Sequence, residues 1–315
     1  MFGGGVINTY VHSPVMKDEI IKSLLGEKDI LFLDCTVGEG GHSEAVLNKF
    51  SNIRVIGVDR DSEILEVAKT RLSSYGTRFT PLNVNFKNLD FKKDLNEQKI
   101  DSALIDLGIS VYHYKSSMRG FSFSQREKLN MKLDNEAISV YDIINSYSYE
   151  TLVKIFFEYS EERFSREIVK KIIKEREIKT IEFTDDLANI IVSAIPPKFR
   201  GGKIHPATKI FQALRIEANR ELDNIKEGIP KVISLLKNGG KLGVITFHSI
   251  EDRIVKNIFK FMELDCICPP RFPKCICDKK RSVNILGKAI IANEEEIRNN
   301  PPSRSAKLRI VEKVE

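Results

Sequence analysis

The chain has 315 residues, 42% of them hydrophobic and 30% charged, with a net charge of +6 and a pI near 8.9. That composition supports a sizeable core, excludes a largely disordered chain, and fits either one large domain or two smaller ones. No apolar run reaches the length of a membrane span, and the opening stretch lacks the basic start and apolar segment of a secretory signal, so a cytoplasmic protein with no membrane partner is expected.

The first predicted unit is "DILFLDCTVGEGGHSEAVLNKF", which reads strand, glycine turn, helix. "NIRVIGVDRDSEILEVAKTRL" repeats the order with an acidic turn, "RFTPLNVNFKNL" gives a third short strand, and "KIDSALIDLGIS" gives a fourth ending at Asp106. Short apolar runs alternating with helix-period stretches predict a doubly wound α/β fold on a mostly parallel sheet, buried on both faces.

From Tyr112 to Pro197 the pattern turns helical, through "SVYDIINSYSYETLVKIFFEYS", "RFSREIVKKIIKERE" and "FTDDLANIIVSAIP". A helical domain inserted after strand four is expected over residues 112–203, between residues 1–111 and 204–315 of a discontinuous α/β domain. "HPATKIFQALRIEANRELDNIKEGIPKVISLL" reads as long helix. "NGGKLGVITF" reads as a strand after a glycine cap, "SIEDRIVKNIFKFM" as a helix, and "AKLRIVEKV" as a last strand.

The basic residues are clustered. Arg163 to Lys179 holds seven basic and three acidic residues, and is read as a solvated helix face. Lys198 to Lys209 has no acidic residue and is read as a phosphate-contacting loop. Four of the five cysteines fall in "CICPPRFPKCIC", at Cys266, Cys268, Cys275 and Cys277. Disulfides are not expected in an intracellular chain. Four close thiols suggest a metal, but C-x-C pairs match structural zinc less well than C-x-x-C knuckles, and a compact proline-rich loop explains them too. No metal is assigned to the active site.

The glycine turn carries the chemistry. A dinucleotide fingerprint wants G-x-G-x-x-G; Gly38, Gly40 and Gly41 are present, but Ser43 replaces the third glycine. An acidic residue, three residues, then G-x-G resembles sites for S-adenosylmethionine (SAM), where no pyrophosphate is cradled. Gly40 and Gly41 would let the backbone approach such a ligand. Asp59, nineteen positions after Gly40 at the end of the second strand, can accept both ribose hydroxyls, or cap the next helix as Asp61 and Ser62 also could. Asp106 ends an apolar strand where the crevice of a doubly wound sheet opens, with helix capping as its structural alternative.

Further along, these stretches resemble the RsmH (formerly MraW) family of small-subunit ribosomal RNA methyltransferases. The matching stretches include "HSPVM", "DCTVGEGGHS", "GVDRD", "DLGIS", "RGFSF", "EERFSREI", "HPATKIFQALRIEANREL", "GGKLGVITFHSIEDRIVK", "CICPPRFPKCIC" and "PPSRSAKLRI", in order from about His12 to the C-terminus. The resemblance implies a class I SAM-dependent methyltransferase fold and methylation of the N4 amine of one cytidine in the decoding region of 16S rRNA in the 30S subunit. It implies Gly40, Gly41, His42, Asp59, Phe86, Asp106 and His113 as SAM contacts, with Phe86 on the adenine. His113 stands where the family usually carries Gln. The family's D-G-P-L-D-M-R-M-D stretch reads "SQREKLNMKLD" here, keeping Asp134, and "DLGIS" continues "VYHY" rather than S-P-Q-L. Both changes fall in the loop expected to touch substrate.

For chemistry, Asp106 or the carbonyls after it are the candidates to accept an amine N–H. Cys35 is read as a small buried residue. Tyr112, Tyr114, Phe121 and Phe123 could stack on an extruded base or form core. His248 could line the site, and His205, Lys209, Arg215, Arg304 and Lys307 could meet phosphates. Two other readings stand beside this one, an NAD-linked oxidoreductase and a ribosome-assembly protein without catalysis. The oligomeric state, a homodimer included, is left open.

Overall fold

The computed structural model describes residues 13–201, 204–269 and 275–314. The opening residues with His12, then Gly202 and Lys203 of the basic loop, and the segment between the cysteine pairs lie outside the described residues.

The chain begins α1 (Lys17–Leu24), β1 (Leu31–Asp34), α2 (Gly41–Lys49), β2 (Arg54–Asp59), α3 (Ser62–Arg71), β3 (Phe79–Asn83) and β4 (Ile100–Asp106). A helical stretch follows: α4 (Val111–Lys115), α5 (Val140–Ser146), α6 (Tyr149–Ser160), α7 (Ser165–Ile178), α8 (Thr184–Ala194) and α9 (Ala207–Asn219). The chain returns through α10 (Glu221–Leu235), β5 (Leu236–Thr246), α11 (Ser249–Glu263), β6 (Val283–Ile285), β7 (Ile290–Ile291), α12 (Glu294–Asn299) and β8 (Lys307–Lys313).

The sheet runs β3-β2-β1-β4-β5-β8-β6, with β7 also on β8. The pairs from β3 to β5 are parallel, whereas β8 is antiparallel to β5, β6 and β7. The chain lays β2 and β3 on one side of β1 and β4 on the other. Such a reversal of order opens a crevice at the strands' carboxyl ends. Along β1, Leu31 and Leu33 face the core under α10 and α11, while Phe32 faces the core under α1, α2 and α3. Burial of both faces is why these strands read as unbroken apolar runs.

The helical stretch has its own core, with Val140, Leu152, Phe156, Ile168, Ile172, Leu187 and Ile191 buried. In α7 Ile168, Val169 and Ile172 face inward and Arg166, Lys170 and Lys174 are exposed, whereas Arg176 donates to the Ile144 and Tyr147 carbonyls at 2.6 and 2.8 Å. Ala207, Ile210, Phe211, Ala213, Leu214 and Ala218 of α9 join this core, not that of the sheet. We therefore propose that the second domain crossing falls at Arg220 rather than after residue 203.

Three local readings need correction. The long helix breaks at Arg220, whose φ of 48° is left-handed, and restarts as α10. Asn219, beside the break, takes the Leu133 N–H on Oδ1 at 2.9 Å and donates to the Met131 carbonyl at 2.8 Å. The expected glycine cap after α10 is absent; Leu236 already starts β5, and Gly240 sits in the strand where the register with β4 slips. There a Cβ would press on the Asp101 and Lys237 carbonyls at 2.9 Å. Finally, α1, β6 and β7 were not foreseen.

Replacing Asn219 with Ala leaves one buried N–H and one carbonyl bare, so Asn219→Ala should lower unfolding stability in urea by roughly 2–4 kcal/mol, at about 1–3 kcal/mol per group.

Candidate active site

Three strand ends and one buried turn make the site. At the end of β1, Asp34 is buried and accepts the Ser43 hydroxyl at 2.7 Å. This explains Ser43 in place of the third glycine: its side chain ties α2 to β1. Burial pushes the Asp34 carboxyl up to about 6, although the His42 ring and the Ser43 hydroxyl pull it down. Cys35 beside it is buried, and burial raises its thiol well above the usual value. It is a small core residue at the cavity wall, not a nucleophile.

At the end of β2, Asp59 accepts the Gly38 N–H on one oxygen and the Asp61 N–H on the other, both at 2.9 Å. Burial raises its pKa and those two N–H groups lower it. A carboxylate has about four acceptor positions, so two more hydrogen bonds can still be taken. Asp61, two residues on, caps α3 through the Glu63 N–H at 3.0 Å. It also holds His113 Nε2 at 2.8 Å and the Arg119 guanidinium. Burial opposes its charge, but these partners win and its pKa lies below the ordinary value. The helix-capping role weighed for Asp59 thus belongs to Asp61.

At the end of β4, the Asp106 N–H donates to Thr36 Oγ1 at 2.7 Å, and its Oδ2 lies 3.5 Å from His42 Nε2. Asp106 stands where two spaces meet. The inner cavity is lined by Gly38, Asp59, Phe86, Leu107, Asn224 and Ile225 among others. The outer cleft is lined by Gly41, His42, Tyr114, Gln212, Arg215 and His248 among others. Both share Thr36, Gly38, Asp106, Gly108, Ile109, Ser110 and Glu251.

Gly40 does not line either space. Its φ is +84°, and a Cβ there would meet Leu72 Cδ1 at 3.0 Å, so it serves the turn against α3. Gly41 does line the cleft, but its Cβ would point at Pro14. Of the three turn glycines, Gly38 is the one on both walls, at φ +52°, with its N–H held by Asp59. Phe86 lines the inner cavity and is wedged against α10: a Cβ on Gly228 would come within 2.1 Å of its ring. The closeness of Gly228 to this ring carried no signal in the sequence.

The aromatic candidates divide. Phe121 is buried in the helical core, and Phe123 packs on His205 and Phe211 at 4.7 and 4.9 Å between ring centres. Neither lines the inner cavity or outer cleft, whereas Tyr114 does and accepts from Arg215 at 3.2 Å. Arg215 is buried and doubly bonded to Glu221 at 2.8 and 3.0 Å. His205 and Lys209 line a separate hollow with Arg163 and Phe199. Lys307 is 3.4 Å from Asp252, which also holds Arg309. Asp134 of the altered loop pairs with Arg60 at 2.6 Å, so it fastens the helical part to β2.

Strand order, switch-point crevice and antiparallel β8 define a Rossmann-like α/β protein of the class I SAM-dependent methyltransferase type. The sequence comparisons are more specific. The MraW methylase family model matches residues 9–314. A ribosomal RNA small subunit methyltransferase H from Treponema denticola is 45% identical over 97% of this chain and 98% of its own length. The protein of that name from Carboxydothermus hydrogenoformans is 41% identical over 97% and 98%. Among solved structures, a putative rRNA-methylase from Clostridium thermocellum covers 95% of both chains at 12% identity, with a TM-score of 0.41. The chain belongs to the MraW methylase family. That membership displaces the NAD-linked alternative.

The cofactor of this class is SAM, and the residues fit it. The inner cavity sets the apolar Phe86, Leu107 and Ile225 beside the polar Asp59 and Asn224, the mixed lining usual for small-molecule sites. His113 Nδ1, on the inner wall, is buried with no hydrogen-bond partner, and His42 Nε2, on the outer wall, makes no hydrogen bond beyond its 3.5 Å approach to Asp106. Buried polar atoms of this kind are normally satisfied, so they point to a ligand.

Two outcomes test the geometry. Gly228→Ala should push the Phe86 ring aside and weaken SAM binding by roughly tenfold or more in calorimetry, at about 1–3 kcal/mol for overpacking, with the fold retained by circular dichroism. The raised pKa of Asp34 contributes stability that is complete below 3.8 and lost as pH rises through about 6. Asp34→Asn removes that loss, so its melting temperature relative to the parent should climb across this window and level off above it.

Proposed function

We propose that this protein is a SAM-dependent 16S rRNA methyltransferase that acts on the N4 amine of a cytidine in the decoding region of the small ribosomal subunit. The observation that carries the reading is the place of Asp106, a carboxylate at the junction between an inner cavity walled by Asp59 and Phe86 and an open cleft. The names of the 41–45% identical relatives give small-subunit rRNA as their substrate. The choice of cytosine N4 extends that by chemistry and by the resemblance of the motifs.

Asp59 would accept the ribose hydroxyls, Phe86 would pack on the adenine face, and His113 Nδ1 would meet a polar edge of the bound group. Gly38 and Gly41 would give it backbone without obstruction. His42, on the outer wall, would face the end nearer the substrate. Gly40 would act by holding the turn. When bound, SAM supplies an activated methyl group on a sulfonium.

The amine of cytosine is a weak nucleophile because its lone pair is delocalised into the ring. Asp106 would accept one amine N–H and so favour a pyramidal nitrogen. Placement in line and exclusion of water then do most of the work. Tyr114 is exposed at the cleft and is the aromatic best placed to stack on a base taken out of its helix. Arg215 is committed to Glu221, so it would orient Tyr114 rather than bind phosphate.

Incubation with labelled SAM and 30S subunits lacking the modification, followed by nucleoside analysis, should find label in N4-methylcytidine. Label in another base, or none in RNA, contradicts the reading, and the second result favours an assembly protein without catalysis. Asp106→Asn should lower kcat by roughly 100-fold or more, the usual range for a proton acceptor, while SAM affinity changes far less.

A further inference from the structure

The four clustered cysteines lie in the connection between α11 and β6, away from both the cavity and the cleft. All four sulfurs fall within 4.8 Å of one another. Cys266 and Cys275 are 3.5 Å apart, Cys275 and Cys277 3.5 Å, and Cys277 and Cys266 3.7 Å. These separations are too long for S–S bonds, which are about 2.05 Å. They are close to the spacing of a tetrahedron around one zinc ion, about 3.8 Å for Zn–S bonds of about 2.3 Å.

The backbone is arranged for charged sulfur as well. The Ile267 N–H points to Cys277 Sγ at 3.3 Å, the Cys268 N–H to Cys266 Sγ at 3.3 Å, and the Ile276 N–H to Cys268 Sγ at 3.4 Å. Each C-x-C turn thus gives N–H groups to sulfurs within and across the pair. Neutral thiols accept hydrogen bonds weakly. Thiolates accept them well, and bringing four together requires a cation.

We propose that Cys266, Cys268, Cys275 and Cys277 bind one Zn²⁺ as a structural tetrathiolate site. Each thiol binds as its thiolate and releases its proton. The ion and four thiolates form a doubly negative cluster, whose charge the N–H groups offset. No coordination position remains for water or substrate, so the ion acts as a staple, not a catalyst. The staple closes the tip of a connection whose base is already tied. There Arg281 bonds Asp265 at 2.7 Å, the Ser282 N–H bonds the Met262 carbonyl at 2.9 Å, and Lys279 Nζ bonds the Leu264 carbonyl at 3.0 Å. Together these fix the entry to β6, which closes the sheet beyond β8.

Short C-x-C spacing is the point against zinc in sequence terms. The geometry answers it, because the two pairs meet face to face and each supplies two sulfurs to a common centre.

The test uses the full chain, purified under reductant without a polyhistidine tag and analysed for metal. One zinc per chain is expected. Cys275→Ser with Cys277→Ser should reduce this more than tenfold, and Cys35→Ser should leave it unchanged. With chelator and denaturant, all five cysteines of the chain should titrate as thiols. Should the double variant fail to fold, the parent refolded with Co²⁺ should show the intense visible bands and sulfur charge transfer of a tetrahedral tetrathiolate. Substoichiometric zinc after reconstitution, iron in its place, titration of one thiol only because two disulfides have formed, or a weak octahedral cobalt spectrum would each overturn the proposal. SAM binding, read in parallel, is expected in the double variant because the cluster lies outside the crevice.

Discussion

The buried carboxylate of Asp61 is the joint on which the rest of the molecule turns. It starts α3, receives His113 from α4, and anchors Arg119 from the loop beyond. Taking a charge out of water is costly, and only partners of opposite charge with good hydrogen bonds make it stable. Here they do, and the carboxyl is held below its ordinary range. Its neighbours extend the joint. Asp59 organises the glycine turn through the Gly38 N–H, and Arg60 reaches Asp134 and the Asn219 carbonyl. Three consecutive residues at the end of β2 therefore set the cofactor turn, the helical domain and the α9–α10 break against one another. A disturbance at any of them is felt at the cavity wall.

That joint also takes in the loop that follows Phe123. Asp134 is retained in a stretch that otherwise departs from the family pattern, and it is the residue that holds Arg60. His113 supplies one ring nitrogen to Asp61, and the other is buried without a partner in a residue that lines the inner cavity. One side chain can thus serve the seam and the ligand together because the imidazole has two distinct nitrogens.

Much of this was legible in the sequence because strands buried on both faces leave unbroken apolar runs, and because the sheet's crevice falls at strand ends. Asp59 and Asp106 were found in that way. Other features depend on contacts remote in sequence. The apolar face of α9 has the same periodicity whichever core it enters, so its membership in the helical core was not visible. The break at Arg220 is stabilised by Asn219 reaching the Met131–Leu133 loop, which no helical pattern records. β6 and β7, of three and two residues, are too short to show alternation. At Gly40 the space a side chain would need is taken by Leu72, a contact that the glycine pattern does not record.

Charge in the crevice gives the last step. Asp59, Asp106, Glu221 and Glu251 line the inner cavity, and Glu39 joins Asp106 and Glu251 along the cleft. The arginines there are already committed, Arg71 to Glu44, Arg60 to Asp134 and Arg215 to Glu221. With Glu221 offset by Arg215, the carboxyl groups of Asp59, Asp106 and Glu251 remain, and they would favour a cationic sulfonium donor over the neutral thioether left after transfer. The same wall repels phosphate. Under the proposed reading, a base drawn into this crevice would have its backbone phosphates held outside it.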